Sequence, residues 1–537
     1  MEKEKEGVSR YWVWGVFFAA LGAHLFLAVK WQNQFFASYV NNTAIFMEDL
    51  SRDYQRIVSL ERGFNLFSEF HRFFSGNYWP PVVPVAGLWT LVTFPAQCFF
   101  LPNFFFLAMI MLGTYFSTRL LIGSRFYSML AAVIFSCYWF VMIQLVAFEL
   151  QLAVTACVAW SFYWYLRSCS FARFWPSLLT GLFMVLSLYC DRLMPGVFVF
   201  ALFLVPENFR SRKSLLLMAM VMALVVTGAW PFYGKWFNTN FGNPRNIEIL
   251  FSSYGDFTPP METFKTILRD PSFLLAHLFY YFVSLTEKLL GYYFTALLAM
   301  GMLFLHRLKK PCAQTFWTVL AVPLMAFVLI PKKDYIYIFP LCFYFSVISG
   351  IGIHSLRNKW IRYSLVLLIA VVVVQQYLWL FQLPGGKKDL FFSRQFGKTS
   401  SQKPPKLYLL NYPNPGKEAV RGAYAIVNAI SPLIGKRASS GEQKQALILD
   451  LQGYVLQNTA AFLFRVGLPK TKVINSFYAF PLGQDKTCEE DYLYLLSDEK
   501  RYAVERGSGE GGGCSWKGLE PLYRLPNSET VLFKVRR

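Results

Sequence analysis

Long unbroken runs of apolar residues decide what this chain can fold into. FFFLAMIMLGTYF (104–116) and LVLLIAVVVV (365–374) are two of them. About 18 or more apolar residues suffice to cross a bilayer core roughly 30 Å thick. Of 537 residues, 55% are hydrophobic, 19% aromatic and only 15% charged. That leaves too little polar surface for a water-soluble globule of this length. Hydropathy places spans over 11–29, 101–118, 127–146, 150–166, 175–190, 195–206, 214–231, 290–305, 313–330, 336–353 and 363–381. The expected fold is therefore an α-helical polytopic membrane protein with about eleven transmembrane helices. The stretch 195–206 is short for a span, and 272–289 reads as a further interfacial or embedded helix.

Charge fixes the expected orientation. The formal net charge is +21. In a soluble protein that would suggest nucleic acid as a partner. Here the cations sit in short turns between spans, so nucleic acid is excluded as the expected partner. With the N-terminus cytoplasmic, the inner segments hold Lys3, Lys5, Arg10, Arg119, Arg125, Arg167, Arg173, Arg210, Arg212, Lys213, Arg307, Lys309, Lys310, Arg357, Lys359 and Arg362. The short outer turns hold only Arg192, Lys332 and Lys333. The positive-inside rule then puts 30–100, 232–289 and everything after Phe381 outside. The apolar stretch Tyr11–Val29 has no small-residue cleavage site behind it and reads as a retained signal anchor.

The expected domains are a membrane domain over 1–381, a flexible basic linker over 382–405 and an extracytoplasmic α/β domain over 406–537. Within 30–100, DLSRDYQRIVSLERGFNLFSEFHRFF alternates apolar and charged residues at helical spacing, so amphipathic helices at the outer surface are expected. Pro80-Pro81 then breaks any helix. In the tail, KLYLL, ALILDL, KVINSF, DYLYLL and TVLFKV read as strands, with YVLQNTAAFLFRV as a helix between the second and third. Cys488 and Cys514 lie in this tail and are able to pair if it faces an oxidising compartment.

Chemistry-bearing residues gather on the predicted outer side. Glu48, Asp49 and Asp53 follow the first span. Carboxylates there can serve as a general base or hold a cation, though such a run is usually a solvated helix face. Glu149 is the ionised residue of QLVAFELQLAV, at the outer end of a span. An acid next to hydrocarbon is a functional candidate, the plain alternative being a helix-end residue reaching water. Asp191-Arg192 occupies another outer turn, with a paired structural turn as its plain reading. Lys332 and Lys333 run against the positive-inside rule. An anionic lipid phosphate would compensate them, and so would Asp334. His71, His277 and His354 have no partner spacing, and Asn41-Asn42-Thr43 fits the N-glycosylation pattern. The sequence has no GxxxxGK[ST], HExxH or GxSxG motif.

In order, these landmarks resemble the GT-C superfamily of integral-membrane glycosyltransferases, in the branch of protein mannosyltransferases and the lipid A aminoarabinose transferase. The likeness runs over 10–355: Glu48-Asp49 with Tyr54 downstream, YWPP at 78–81, Glu149, Arg192, AWPFYGKWFNTNFGNP at 229–244 and KKDYIYIFP at 332–340. The order Glu-Asp replaces the family's usual Asp-Glu. The resemblance implies inverting transfer of a hexose or pentose from a polyprenyl-phosphate donor to a lipid, glycan or protein acceptor, at the outer face of a plasma membrane, the inner membrane of a bacterium. It implies Asp49 or Glu48 as base, with Asp53 a further match, and Glu149 as a supporting acid. Asp53 and Tyr54 would bind substrate. Lys332, Lys333, Tyr335 and Arg192 would contact the lipid phosphate. Some relatives use a divalent metal and others do not.

Three rivals remain at this stage. A transporter or lipid-linked sugar flippase should show paired repeats and polar residues near the midplane, whereas here they sit at one edge. A polysaccharide polymerase or ligase need not carry an amphipathic segment after the first span. A structural scaffold would have little use for clustered outer acids.

Overall fold

A computed structural model of the chain describes residues 10–31, 100–146, 151–190, 194–241, 271–329, 335–380, 415–438, 445–451, 460, 464, 468, 471–475, 492–498, 518–526 and 530–536. They fall in two compact units. One holds the helices up to residue 380, the other residues 415–536.

The described elements of the first unit are all helices. Its elements are α1 (Arg10–Trp31), α2 (Phe100–Ile122), α3 (Arg125–Ser136), α4 (Trp139–Val146), α5 (Gln151–Ser168), α6 (Phe174–Cys190), α7 (Met194–Phe203), α8 (Arg212–Phe241), α9 (Pro271–Ser284), α10 (Tyr292–Phe304), α11 (Lys310–Leu329), α12 (Leu341–Ser355) and α13 (Lys359–Leu380). The described residues of each run expected to span are mainly helical. By length and apolarity, the described helices include four candidate spans, at Asn103–Ile122, Arg212–Trp230, Lys310–Val328 and Lys359–Leu378. Tyr11–Leu27, Arg125–Ser136, Phe174–Cys190 and Leu341–Ser355 are shorter apolar helices.

Two helices differ from the hydropathy reading. α8 continues ten residues past the expected end at 231, through Pro231, to Phe241. The stretch expected as one span over 127–146 is broken at Cys137–Tyr138 into α3 and α4. The Ser136 carbonyl at the break accepts a hydrogen bond from His24 (Nε2···O 2.7 Å). The Cys137 and Tyr138 amides close tighter bonds to Ile134 and Phe135. A side chain inserted into the backbone ladder is a known cause of such kinks.

Helices in hydrocarbon gain little by hiding apolar side chains from lipid, so close backbone approach must hold them together. Small residues make that approach here. A Cβ added at Gly301 of α10 would lie 2.5 Å from the Ile348 carbonyl oxygen of α12. One at Gly352 of α12 would lie 2.6 Å from the Gly301 Cα, and one at Gly350 2.7 Å from the Ala131 Cβ of α3. Gly113 of α2 faces Ala159 of α5 in the same way. Around these seams the core is aromatic: the buried Phe162 ring packs against Phe316, Phe343 and Tyr344. Hydroxyls in the helices turn back on their own backbone. Thr114, Thr118, Thr155, Ser161 and Ser349 each donate to the carbonyl four residues earlier.

The second unit has α14 (Pro415–Ala438) and a five-stranded mixed sheet of β1 (Gln445–Asp450), β2 (Thr471–Asn475), β3 (Tyr492–Asp498), β4 (Gly518–Arg524) and β5 (Thr530–Arg536). The strand order is β2-β1-β3-β5-β4. β1 pairs parallel with β2 and β3, while β5 pairs antiparallel with β3 and β4. Four expected strands, ALILDL, KVINSF, DYLYLL and TVLFKV, correspond to β1, β2, β3 and β5. KLYLL lies outside the described residues, as do Cys488 and Cys514. Ala460 and Phe464, in the expected helix, are helical and buried. The sequence reading missed β4 and α14. Pro521 argues against a central strand, but β4 is an edge strand with a register shift at Pro521/Tyr523, where a missing N–H is tolerated. α14 buries Ala423, Ile426, Val427, Ile430 and Ile434, a helical stripe whose spacing was readable.

Candidate functional site

The candidate site begins with which end of the bundle each helix terminus occupies. α2 and α5 run parallel: Trp160 Nε1 donates to the Met109 carbonyl, and Phe116 meets Tyr163 further along. α3 and α12 run antiparallel, since Tyr127 meets His354 whereas Phe135 meets Phe339. The cation-bearing turns therefore share one end. Arg307 donates to the Ser355 carbonyl, and the Tyr165 hydroxyl donates to Asn208 Oδ1 (2.8 Å). The turn after α5 is itself unusual. Cys169, Ser170 and Phe171 all have positive φ (52°, 59° and 62°). Phe171 offsets that strain by burying its ring against Tyr165 and Phe203.

The opposite end carries the flanks of the expected site. Asn103, at the start of α2, donates Nδ2 to the Gln144 carbonyl near the end of α4 (3.0 Å). That bond satisfies one of the carbonyls a helix C-terminus leaves open. Gln151 opens α5, five residues after α4 ends at Val146. Asn103, Gln144 and Gln151 are all buried, an unusual concentration of carboxamides in an apolar bundle. The Gln151 Oε1 is buried with no hydrogen-bond partner among the described residues, so it is open to a donor. Tyr281 of α9 donates its hydroxyl to the Phe327 carbonyl near the end of α11 (3.2 Å), and the Tyr337 ring stacks on Phe327.

Of the residues the sequence singled out, Glu48, Asp49, Asp53, Tyr54, Glu149, Arg192, Lys332 and Lys333 lie outside the described residues. Asp191, Asp334, His71 and Asn41 do as well. Tyr335 opens a single 3-10 turn, Tyr335–Ile338, that leads into α12. What can be placed is the flanks. Glu149 lies between α4 and α5, Arg192 between α6 and α7, and Lys332-Lys333 between α11 and that 3-10 turn. Glu48, Asp49 and Asp53 follow α1. Among the described residues, no three His, Cys, Asp or Glu side chains come together as a metal set.

A buried histidine also escaped the sequence reading. His24 is the one imidazole in the apolar run of α1, which holds no Asp, Glu, Lys or Arg, and is fully buried. Its Nδ1 lies 2.7 Å from the Ala20 carbonyl oxygen and 3.0 Å from the Tyr377 hydroxyl of α13. With the Ser136 contact this ties α1 to both α3 and α13. The signal was present in the sequence, because an ionisable group inside a span nearly always has a partner.

No protein-family model matches the chain, and no curated protein does. Solved structures do. A crystal structure of ArnT from Cupriavidus metallidurans bound to undecaprenyl phosphate superposes with a TM-score of 0.53, covering 98% of this chain and 98% of that one at 11% identity. The apo structure of the same protein gives a TM-score of 0.48 over 85% of this chain and 87% of that one, again at 11% identity. The chain is an integral membrane protein with the GT-C fold.

Proposed function

We propose that this GT-C chain transfers a hexose or pentose from a polyprenyl-phosphate-linked donor to a lipid, glycan or protein acceptor at the outer membrane face, with inversion at the sugar. The observation that carries the reading is the fold. It follows, along 98% of both chains, a protein crystallised with undecaprenyl phosphate. The buried carboxamides of Asn103, Gln144 and Gln151 support it, because they put polar chemistry at the end of the bundle where Glu149 is flanked.

In this reading an acceptor hydroxyl or amine loses its proton to Asp49 or Glu48, with Asp53 as the further match, while its heteroatom attacks the anomeric carbon. The bond between that carbon and the phosphate oxygen breaks, and its electron pair leaves with the lipid phosphate. Lys332, Lys333 and Arg192 oppose the charge developing on that phosphate, where fixed cations act most strongly. Tyr335 donates a hydrogen bond to the phosphate, and Tyr54 contacts the substrate. Glu149 orients the acceptor. The domains would be a transmembrane domain over 1–381, a linker over 382–405 and an outer α/β domain over 406–537, with the N-terminus cytoplasmic.

The test is binding of undecaprenyl phosphate to the purified full-length protein in detergent, followed by native mass spectrometry. Lys332→Ala/Lys333→Ala should lose about 100-fold in affinity, roughly tenfold for each charge-assisted contact. Equal binding by the variant would remove both lysines from the phosphate site.

A further inference from the structure

Two of the described cysteines reach solvent, and they are neighbours. Cys137, Cys157, Cys190 and Cys342 are buried, whereas Cys169 is exposed and Cys312 half-buried. The pair stands on different elements. Cys169 opens the turn after α5, and Cys312 lies near the start of α11. The fold brings these elements together on one hydroxyl. Ser170 Oγ lies 3.4 Å from the Tyr165 hydroxyl oxygen, and Thr315 comes within hydrogen-bonding reach of the same group. Ser170 follows Cys169 in the chain, and Cys312 precedes Thr315 by three residues, on the same side of α11. The two thiols are close enough to interact electrostatically. The turn that carries Cys169 is both strained and held. Cys169, Ser170 and Phe171 have left-handed φ. The Phe171 amide donates to Ser168 Oγ (2.9 Å), and the Phe171 ring is buried. Strained backbone kept in place by its surroundings clusters at functional turns.

An exposed thiol on such a turn, beside a second and less accessible one, is the arrangement of an attacking and a resolving cysteine. We propose that Cys169 and Cys312 are a site of reversible oxidation, closing a disulfide at the expense of glutathione disulfide. Cys169 loses its proton and its sulfur attacks one sulfur of glutathione disulfide. That S–S bond breaks and one glutathione thiolate leaves. The Cys312 sulfur, deprotonated in turn, attacks Cys169 Sγ, and the second glutathione thiolate leaves. Two protein thiols are oxidised, one glutathione disulfide is reduced to two glutathiones, and each leaving thiolate takes up one of the released protons. The positive-inside reading places this cation-rich end in the cytoplasm, where disulfides form transiently rather than as permanent braces. The bond would fasten the turn after α5 to the start of α11. It stands apart from the proposed transfer, whose residues flank the opposite end of the bundle.

The experiment uses full-length protein in detergent, first fully reduced, then exposed to glutathione disulfide, blocked with iodoacetamide and digested. Mass spectrometry should find the Cys169 and Cys312 peptides linked, and dithiothreitol should separate them. A disulfide needs Cα atoms within about 7 Å, so the peptide map also tests how closely the turn meets α11. Cys312→Ser, which lacks the resolving thiol, should instead accumulate a glutathione adduct on Cys169. At about 0.1 mM glutathione, against an effective thiol concentration on the order of millimolar, the wild type should carry about tenfold less of that adduct. No linked peptide in the wild type would overturn the proposal. So would Cys169 joined equally to other cysteines, or equal adduct in the wild type and Cys312→Ser. Should Cys312→Ser fail to fold, the wild-type peptide map decides alone.

Discussion

Asp49→Asn is expected to abolish sugar transfer while the protein still inserts, folds and binds its lipid-linked donor. A general base contributes about 100-fold to 10,000-fold to a proton-coupled attack, so the residual rate should fall in that range. The amide is nearly isosteric and keeps hydrogen-bonding capacity, so donor affinity should hold and the loss should lie in turnover. Glu48→Gln and Asp53→Asn form the comparison. The base is the residue whose loss lowers turnover without weakening donor binding. If Asp49→Asn retains full activity while Glu48→Gln does not, the roles exchange and the order Glu-Asp in this chain has shifted the base by one position. If all three variants stay active, carboxylate assistance from this segment is wrong.

Gly301→Ala should cost the folded bundle about 3 kcal/mol, the upper end of the usual overpacking range. The reason is what the new methyl would meet. It would lie 2.5 Å from the backbone carbonyl of Ile348, which cannot rotate aside as a side-chain end can. α10 and α12 would have to part, and the Gly352 contact on the same seam would open with them. Thermal unfolding in detergent reads the effect as a markedly lower midpoint. Gly15→Ala is the control, because a Cβ there meets nothing within 4 Å. Alanine favours a helix over glycine by up to about 1 kcal/mol, so that variant should be neutral or slightly stabilised. Matching losses at Gly301 and Gly15 would mean that the seam does not hold the helices together.

The membrane fold was largely legible because hydrophobic periodicity survives any uncertainty about packing. The described residues of the runs expected to span are mainly helical, with 127–146 divided between α3 and α4. The errors came where a side chain from elsewhere intervened. Nothing local in the stretch 127–146 predicts a break at Cys137; the cause is His24, more than a hundred residues away in sequence. β4 was missed because Pro521 counts against a strand unless the strand is known to lie at an edge, and edge position is a property of the whole sheet. α14 was missed for a different reason. Its apolar stripe was readable, but Pro415, Pro432 and the three glycines Gly416, Gly422 and Gly435 count against a helix. The candidate site was legible only as residue types in order. Glu48, Asp49, Glu149, Arg192 and Lys332 stand out because charge beside hydrocarbon is costly. The neutral carboxamides Asn103, Gln144 and Gln151 did not stand out, since an uncharged polar residue near a helix end carries little signal until its burial is known.

The most direct measurement is mass spectrometry of membrane glycolipids from cells with the gene, without it, and with the Asp49→Asn copy. The account predicts that one sugar-bearing product disappears in the last two and that a polyprenyl-phosphate sugar accumulates in its place. Identical glycolipid and polyprenyl-phosphate sugar profiles in all three strains would contradict it.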